Sequence, residues 1–126
     1  MSKIIIGKDC GNSPKNILLK DMVVALIKGD TKFFLATVTD DIRWDIIGTP
    51  LLEGKEDVAK ALERMKGSKD TTLTIKHIST HGKSGAVDGT IILGNEKTLA
   101  FCDVFEFSSS TGKGIKEITS YVIERK

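Results

Sequence analysis

Asp103 is the residue whose type and placement could do chemistry. It sits in the run TLAFCDVFEF, where every second side chain shares a face, and its face-mates are Leu99, Phe101, Phe105 and Phe107. A carboxylate on such a face needs a partner or a proton. Facing an apolar pocket, desolvation would raise its pKa and leave a neutral acid able to donate a hydrogen bond. The alternative is an aspartate satisfied by the Trp44 indole N–H or the His77 ring, with structural consequence only. His77 shares parity with Leu73 and Ile75 in TLTIKHISTH, so it is expected inward. There it is either an acid or base beside Asp103 or a core histidine with both nitrogens bonded. Trp44, inward in IRWDII, is a wall that stacks on a flat ligand or plain core filling. Ser120 and Val122 share inward parity with Ile118. With Phe101 and Phe105 they join the candidate pocket lining, and Ser120 is either a ligand hydrogen-bonding group or a core serine.

Other reactive types carry less. Cys102 falls on the outward side of its strand, with no inferred basic neighbour to lower its pKa, and is expected to be small apolar filler. Cys10 and Cys102 have neither metal nor disulfide-framework spacing, so two reduced thiols and a cytoplasmic protein are expected. His81 lies at a Gly-flanked turn and is expected in solvent. Two histidines without acids at ligand spacing give no metal signal, and no cofactor is expected. Asp88 is expected to point out, toward solvent or a dimer contact, as is Tyr121. The glycines of STGKG lack P-loop spacing and precede a strand, not a helix.

The chain has 126 residues, which suits one domain with a real core. Its 19 basic and 17 acidic residues are spread along its length, leaving no basic stripe for nucleic acid. The N-terminal apolar run is Ile4, Ile5 and Ile6, too short for a signal peptide, and nothing approaches the roughly 18 apolar residues that span a bilayer. Nucleic-acid and membrane partners are therefore not expected.

Residues 1–12 read as a loosely held leader, with Ile4 to Ile6 a short strand or a flap. Ser13-Pro14 starts a helix: the hydroxyl can cap free N–H groups, and proline fits the first helical position. Ile17, Leu18, Met22, Ala25 and Leu26 form its apolar stripe, and Gly29 ends it. Asp30 caps a shorter helix, TKFFLATV. Thr39-Asp40-Asp41 is turn chemistry, followed by a strand over 42–47 and a Gly/Pro loop. A third helix covers 55–66, with Val58, Leu62 and Met65 inward and acids early, as the helix dipole favours. Gly67 ends it. Strands follow over 72–81, 86–93 and 98–108. The polar linker SSSTGKG leads into the last. The short turns imply antiparallel neighbours, and one sheet with helices on one face is an α+β arrangement.

This order, with the helix ending ALIKGD, the strand DDIRWDIIG before LEGKEDVAKAL, and the pair FCDVFEF and GKGIKEITSYVIER, resembles the nuclear transport factor 2-like superfamily. Within it the likeness is to SnoaL-like polyketide cyclases and ketosteroid isomerases, over roughly residues 14–125. The resemblance implies a cone-shaped, curved antiparallel or mixed sheet wrapped around three N-terminal helices, with a deep apolar pocket in its open end. It also implies a homodimer through the outer sheet face, here Arg43, Asp45, Cys102, Val104, Thr119 and Tyr121. Asp103 matches the isomerases' aspartic acid that hydrogen-bonds the substrate oxyanion. Their catalytic base falls on Ile46 and their oxyanion-hole tyrosine on Met22, so these two are expected only to line the ligand site. Neither can replace the polar group, which argues against steroid isomerase chemistry. The epoxide hydrolases' Tyr/Asn/Arg/Asp/Asp set is not found. Three functions stay open: a metal-independent cyclase, isomerase or dehydratase acting on an apolar carbonyl compound through Asp103 and His77, a non-catalytic binder of an apolar molecule, and a protein-interaction domain.

Overall fold

A computed structural model describes residues 3–65, 70–111 and 113–125. Strand β1 (Lys3–Asp9) precedes helices α1 (Pro14–Lys28) and α2 (Thr31–Thr37). Strand β2 (Val38–Ile46), a two-residue β3 (Leu52–Glu53) and helix α3 (Gly54–Met65) follow. The chain ends with β4 (Thr72–His81), β5 (Ser84–Ile92), β6 (Thr98–Phe107) and β7 (Ile115–Arg125). The strands form one open mixed sheet in the order β1-β4-β5-β6-β7-β2-β3. Its centre, β4 to β7, is antiparallel throughout, while β1 joins β4 and β2 joins β7 in parallel. The helices cover one face: α1 lies on β4 and β5, α3 on β2 and β3, and α2 bridges α1, α3 and β2. This is the expected α+β cone.

The helices start and stop where side-chain chemistry dictates. Ser13 Oγ accepts from the Asn16 N–H at 3.2 Å, Pro14 occupies the first helical position, and Gly29 closes α1 at φ 76°. Asp30 accepts from the Phe33 N–H at 3.1 Å and begins α2. The buried stripe of α1 runs through Leu19, Met22 and Val23, with Leu26 partly buried, while Ile17 is exposed. Of the expected stripe, Met22 and Ala25 are buried and Leu18 and Leu26 pack against the core, so only Ile17 departs, and Leu19 and Val23 extend the stripe because α1 is apolar over much of its circumference. Met65, expected inward on α3, is also exposed, at the end of its helix. The expected helix end at Lys66, the stop at Gly67 and Gly112 of the linker lie outside the described residues.

Two segments read as loose or turning are strand. Residues 3–9, expected in a loosely held leader with Ile4 to Ile6 a short strand or a flap, take the strand alternative and pair with β4 as an edge strand, Lys3 opposite Thr72 and Ile6 opposite Ile75. Thr39, Asp40 and Asp41, expected as a turn, lie within β2. Their turn chemistry survives as an irregularity: the ladder with β7 jumps from Val38 to Arg43, and Thr39 Oγ1 bonds Asp41 Oδ1 at 2.7 Å.

The feature with most bearing on the site is a bulge in β4. The register with β5 passes from Ile75 opposite Gly89 directly to His77 opposite Asp88, leaving Lys76 extra. One extra residue reverses side-chain parity beyond it. Leu73 and Ile75 point to the helices, and after the bulge Ile78 does so, with His77 and Ser79 turned outward. Both neighbouring strands offer glycine here. A Cβ on Gly89 would meet the Thr74 carbonyl oxygen at 1.9 Å, and one on Gly7 the Lys76 oxygen at 2.9 Å. Nothing larger lets three backbones approach so closely at the bend.

Candidate active site

Between the helices and the inner sheet face is a recess lined by Met22, Val23 and Leu26 of α1, Phe34 of α2, Trp44 of β2, Asp103 and Phe105 of β6, and Ile118 and Ser120 of β7. Its free space is about 10 Å³, room for about one water. Asp103 is 7% exposed. Burial pushes its carboxyl up to about 6, against a hydrogen bond from Ser120 that pulls it down. Ser120 is its direct cross-strand partner, and the Trp44 indole N–H donates to the Ser120 hydroxyl at 2.9 Å. Trp44 in turn stacks on Phe34, with ring centroids 5.3 Å apart. Among the described residues, Asp103 is the one ionisable side chain around this space. It can donate a proton or a hydrogen bond when neutral, and accept a proton when ionised.

Of the residues expected at the site, Asp103, Trp44, Ser120, Phe105 and Met22 meet in this recess. Ile46, Phe101 and Val122 are not among its lining. Ile46 packs at the core margin, Phe101 is buried farther along β6, and Val122 keeps inward parity but is 47% exposed near the end of β7. His77 is the main correction. The bulge turns it to the opposite sheet face, where its side chain is 63% exposed, so it cannot share a proton with Asp103. There its Nδ1 lies 2.9 Å from Asp88 Oδ1. Neither an inward histidine acting on Asp103 nor a core histidine describes it. The expectation that His77 would satisfy Asp103 fails too, and the Trp44 indole N–H donates to Ser120 and not to Asp103 itself.

Sequence reading missed Val23, Leu26, Phe34 and Ile118 as walls. Ile118 carried the same parity signal as Ser120. Phe34 had no strong signal, because a seven-residue helix shows too little period to assign an inner side.

The outer face has its own shallow recess of about 400 Å³, lined by His77, Ser79, Ala86, Asp88, Ala100, Phe101, Cys102, Tyr121 and Ile123. His77, Asp88, Cys102 and Tyr121 form one cross-strand row from β4 to β7. Burial raises the Cys102 thiol, and the Asp103 and Asp88 charges raise it further, the reverse of what a nucleophile needs. Among the described residues no group of three His, Cys, Asp or Glu could hold a metal ion, and no helix is long and apolar enough to cross a membrane.

Three helices packed on one face of an open, mixed sheet are the fold of the nuclear transport factor 2-like superfamily. The SnoaL-like domain matches residues 19–116, and the chain belongs to that family. No curated protein matches it in sequence. Among solved structures it resembles a protein named as a candidate ketosteroid isomerase from Kribbella flavida, with a TM-score of 0.73 and 18% identity over 89% of this chain and 79% of that one. An NTF2-like protein of unknown function from Cytophaga hutchinsonii is 28% identical, with a TM-score of 0.63 over 85% of this chain and 97% of the other. An LEH-like epoxide hydrolase of M. tuberculosis has a TM-score of 0.69 at 23% identity, covering 85% of this chain and 80% of its own.

Proposed function

We propose that this chain is a small-molecule pocket protein of the cyclase and isomerase type, in which Asp103 polarises the carbonyl oxygen of a mainly apolar substrate. The observation that carries this reading is a single carboxyl, 7% exposed and raised to about 6, among apolar walls. An apolar ligand seated against Asp103 desolvates the carboxyl further and favours its neutral form. A hydrogen bond from that acid to a carbonyl oxygen makes the carbonyl carbon more electrophilic and its α C–H more acidic, which helps ring closure and proton shifts alike. Anything larger than a water enters only if side chains move. Met22, unbranched and fully buried at the recess, has the rotamer freedom to do so.

The test is ring closure of heptane-2,6-dione, a diketone that becomes a conjugated cyclic enone on aldol condensation, followed by absorbance. Asp103→Leu, which removes the donor where an amide would keep one, should lower turnover by roughly 10²-fold or more, the scale of losing one donor to a developing oxyanion. Equal turnover would remove Asp103 from the mechanism. A second reading, a non-catalytic binder, is favoured because, among the described residues, no other ionisable side chain lines the recess. An apolar ketone retained by the protein and never altered, seen by native mass spectrometry, supports it.

We also propose a homodimer through the outer face. Val104, Tyr121 and Ile123 leave apolar surface there, Ile123 being 69% exposed, and Arg43 and Asp45 lie on the same side. His77 and Asp88 bring a donor and an acceptor to one patch, which a two-fold copy can complement. Free thiols at Cys10 and Cys102 support placing the protein in the cytoplasm.

A further inference from the structure

We propose that Trp44 and Ser120 are positioning residues that aim the Asp103 proton into the recess. The inference rests on the reading of Asp103 as a donor to a ligand carbonyl. Ser120 faces Asp103 directly across the β6–β7 ladder, and β2 lies on its other side, with Ile46 opposite Ser120 and Trp44 opposite Ile118. An indole N–H can only donate. At 2.9 Å it occupies a lone pair of Ser120 Oγ, and all three side chains are buried. The serine hydrogen is then left for another acceptor, and the carboxyl of Asp103, its direct cross-strand partner on the same buried face, is the one beside it. One carboxyl oxygen therefore receives a hydrogen bond in either protonation state. When the acid is neutral its own hydrogen sits on the second oxygen, since the first already meets one. Apart from the weakly accepting Met22 sulfur, the other side chains around the recess are apolar, so that hydrogen has no good side-chain acceptor there. It is offered to whatever enters, and a carbonyl oxygen is the simplest group that fits.

The arrangement also explains why burial does not carry the carboxyl higher than about 6: the Ser120 hydrogen bond favours the ionised form and opposes desolvation. Had the indole been absent, Ser120 could turn and accept from the acid, favouring the neutral form and hiding its proton.

The experiment is a carboxyl ¹³C NMR titration of Asp103 in the full chain without ligand, in the wild type and in Ser120→Ala, Ser120→Thr and Trp44→Phe, with circular dichroism as the folding check. Ser120→Ala should move the titration upward by roughly one unit, the scale of one hydrogen bond to a charged group. Ser120→Thr, which keeps the hydroxyl, should restore it. Trp44→Phe, which keeps a ring against Phe34, should move it upward by less. A residue that only fills space would change the melting temperature and leave the titration alone. Folded Ser120→Ala and Trp44→Phe proteins that titrate like the wild type would overturn the proposal, and Trp44→Phe carries the test alone if Ser120→Ala fails to fold. The titration needs no substrate, so the relay can fail while Asp103→Leu still lowers turnover, and the reverse.

Discussion

At the scale of the residue, Asp103 is an acid kept where its charge is disfavoured, and this has a thermodynamic consequence. Its ordinary value is 3.8 and its folded value about 6. Between those pH values the folded state holds a proton that the unfolded chain has lost, so stability falls as pH rises through the window. The penalty is absent below about pH 4 and fully present above about pH 6. The shift of roughly two units corresponds to about 3 kcal/mol. Asp103→Asn should therefore stabilise the fold by up to that amount at pH 7 to 8 and change little at pH 4, as read by urea denaturation at each pH. An equal effect at both would mean the carboxyl is not perturbed. Asp103 was legible in sequence because one charge broke an otherwise apolar alternation. Its partner Ser120 was legible by parity, but the indole link was one of two partners considered for Asp103. The inward placement of His77 was wrong because parity counting assumes an unbroken ladder.

At the scale of the element, helix starts and stops and the late strands could be read from caps, glycines and alternation, since each is local chemistry. What could not be read depends on neighbours. The bulge at Lys76 is set by the register of β4 against β5 and β1 together, and residues 3–9 become strand only because the β4 edge is there to pair with. Gly89 holds this bend, since a methyl there would lie 1.9 Å from the Thr74 carbonyl oxygen. Gly89→Ala should destabilise the protein by about 1–3 kcal/mol, the usual range for forced overpacking. It should also disturb the amide resonances of residues 74–78 before those of α3. A variant as stable as the wild type would show that the strands are not pinned there.

At the scale of the whole molecule, the sheet has two faces, one closed by the helices over Asp103 and one left open. Ile123→Glu would place a charge in the apolar part of the open face without touching the inner recess. Light scattering at micromolar concentration should give a dimer for the wild type and a monomer for the variant, with Asp103-dependent activity surviving in both. A monomeric wild type contradicts the dimer. The account as a whole rests on Asp103 offering its hydrogen to a carbonyl inside the cone. The infrared carbonyl band of bound 1-indanone reads that bond directly. The band should lie at lower wavenumber in the wild type than in Asp103→Leu, which has no donor, and the shift should grow as pH falls toward 6 and below. An indanone band at the same position in both proteins, at every pH, would contradict it.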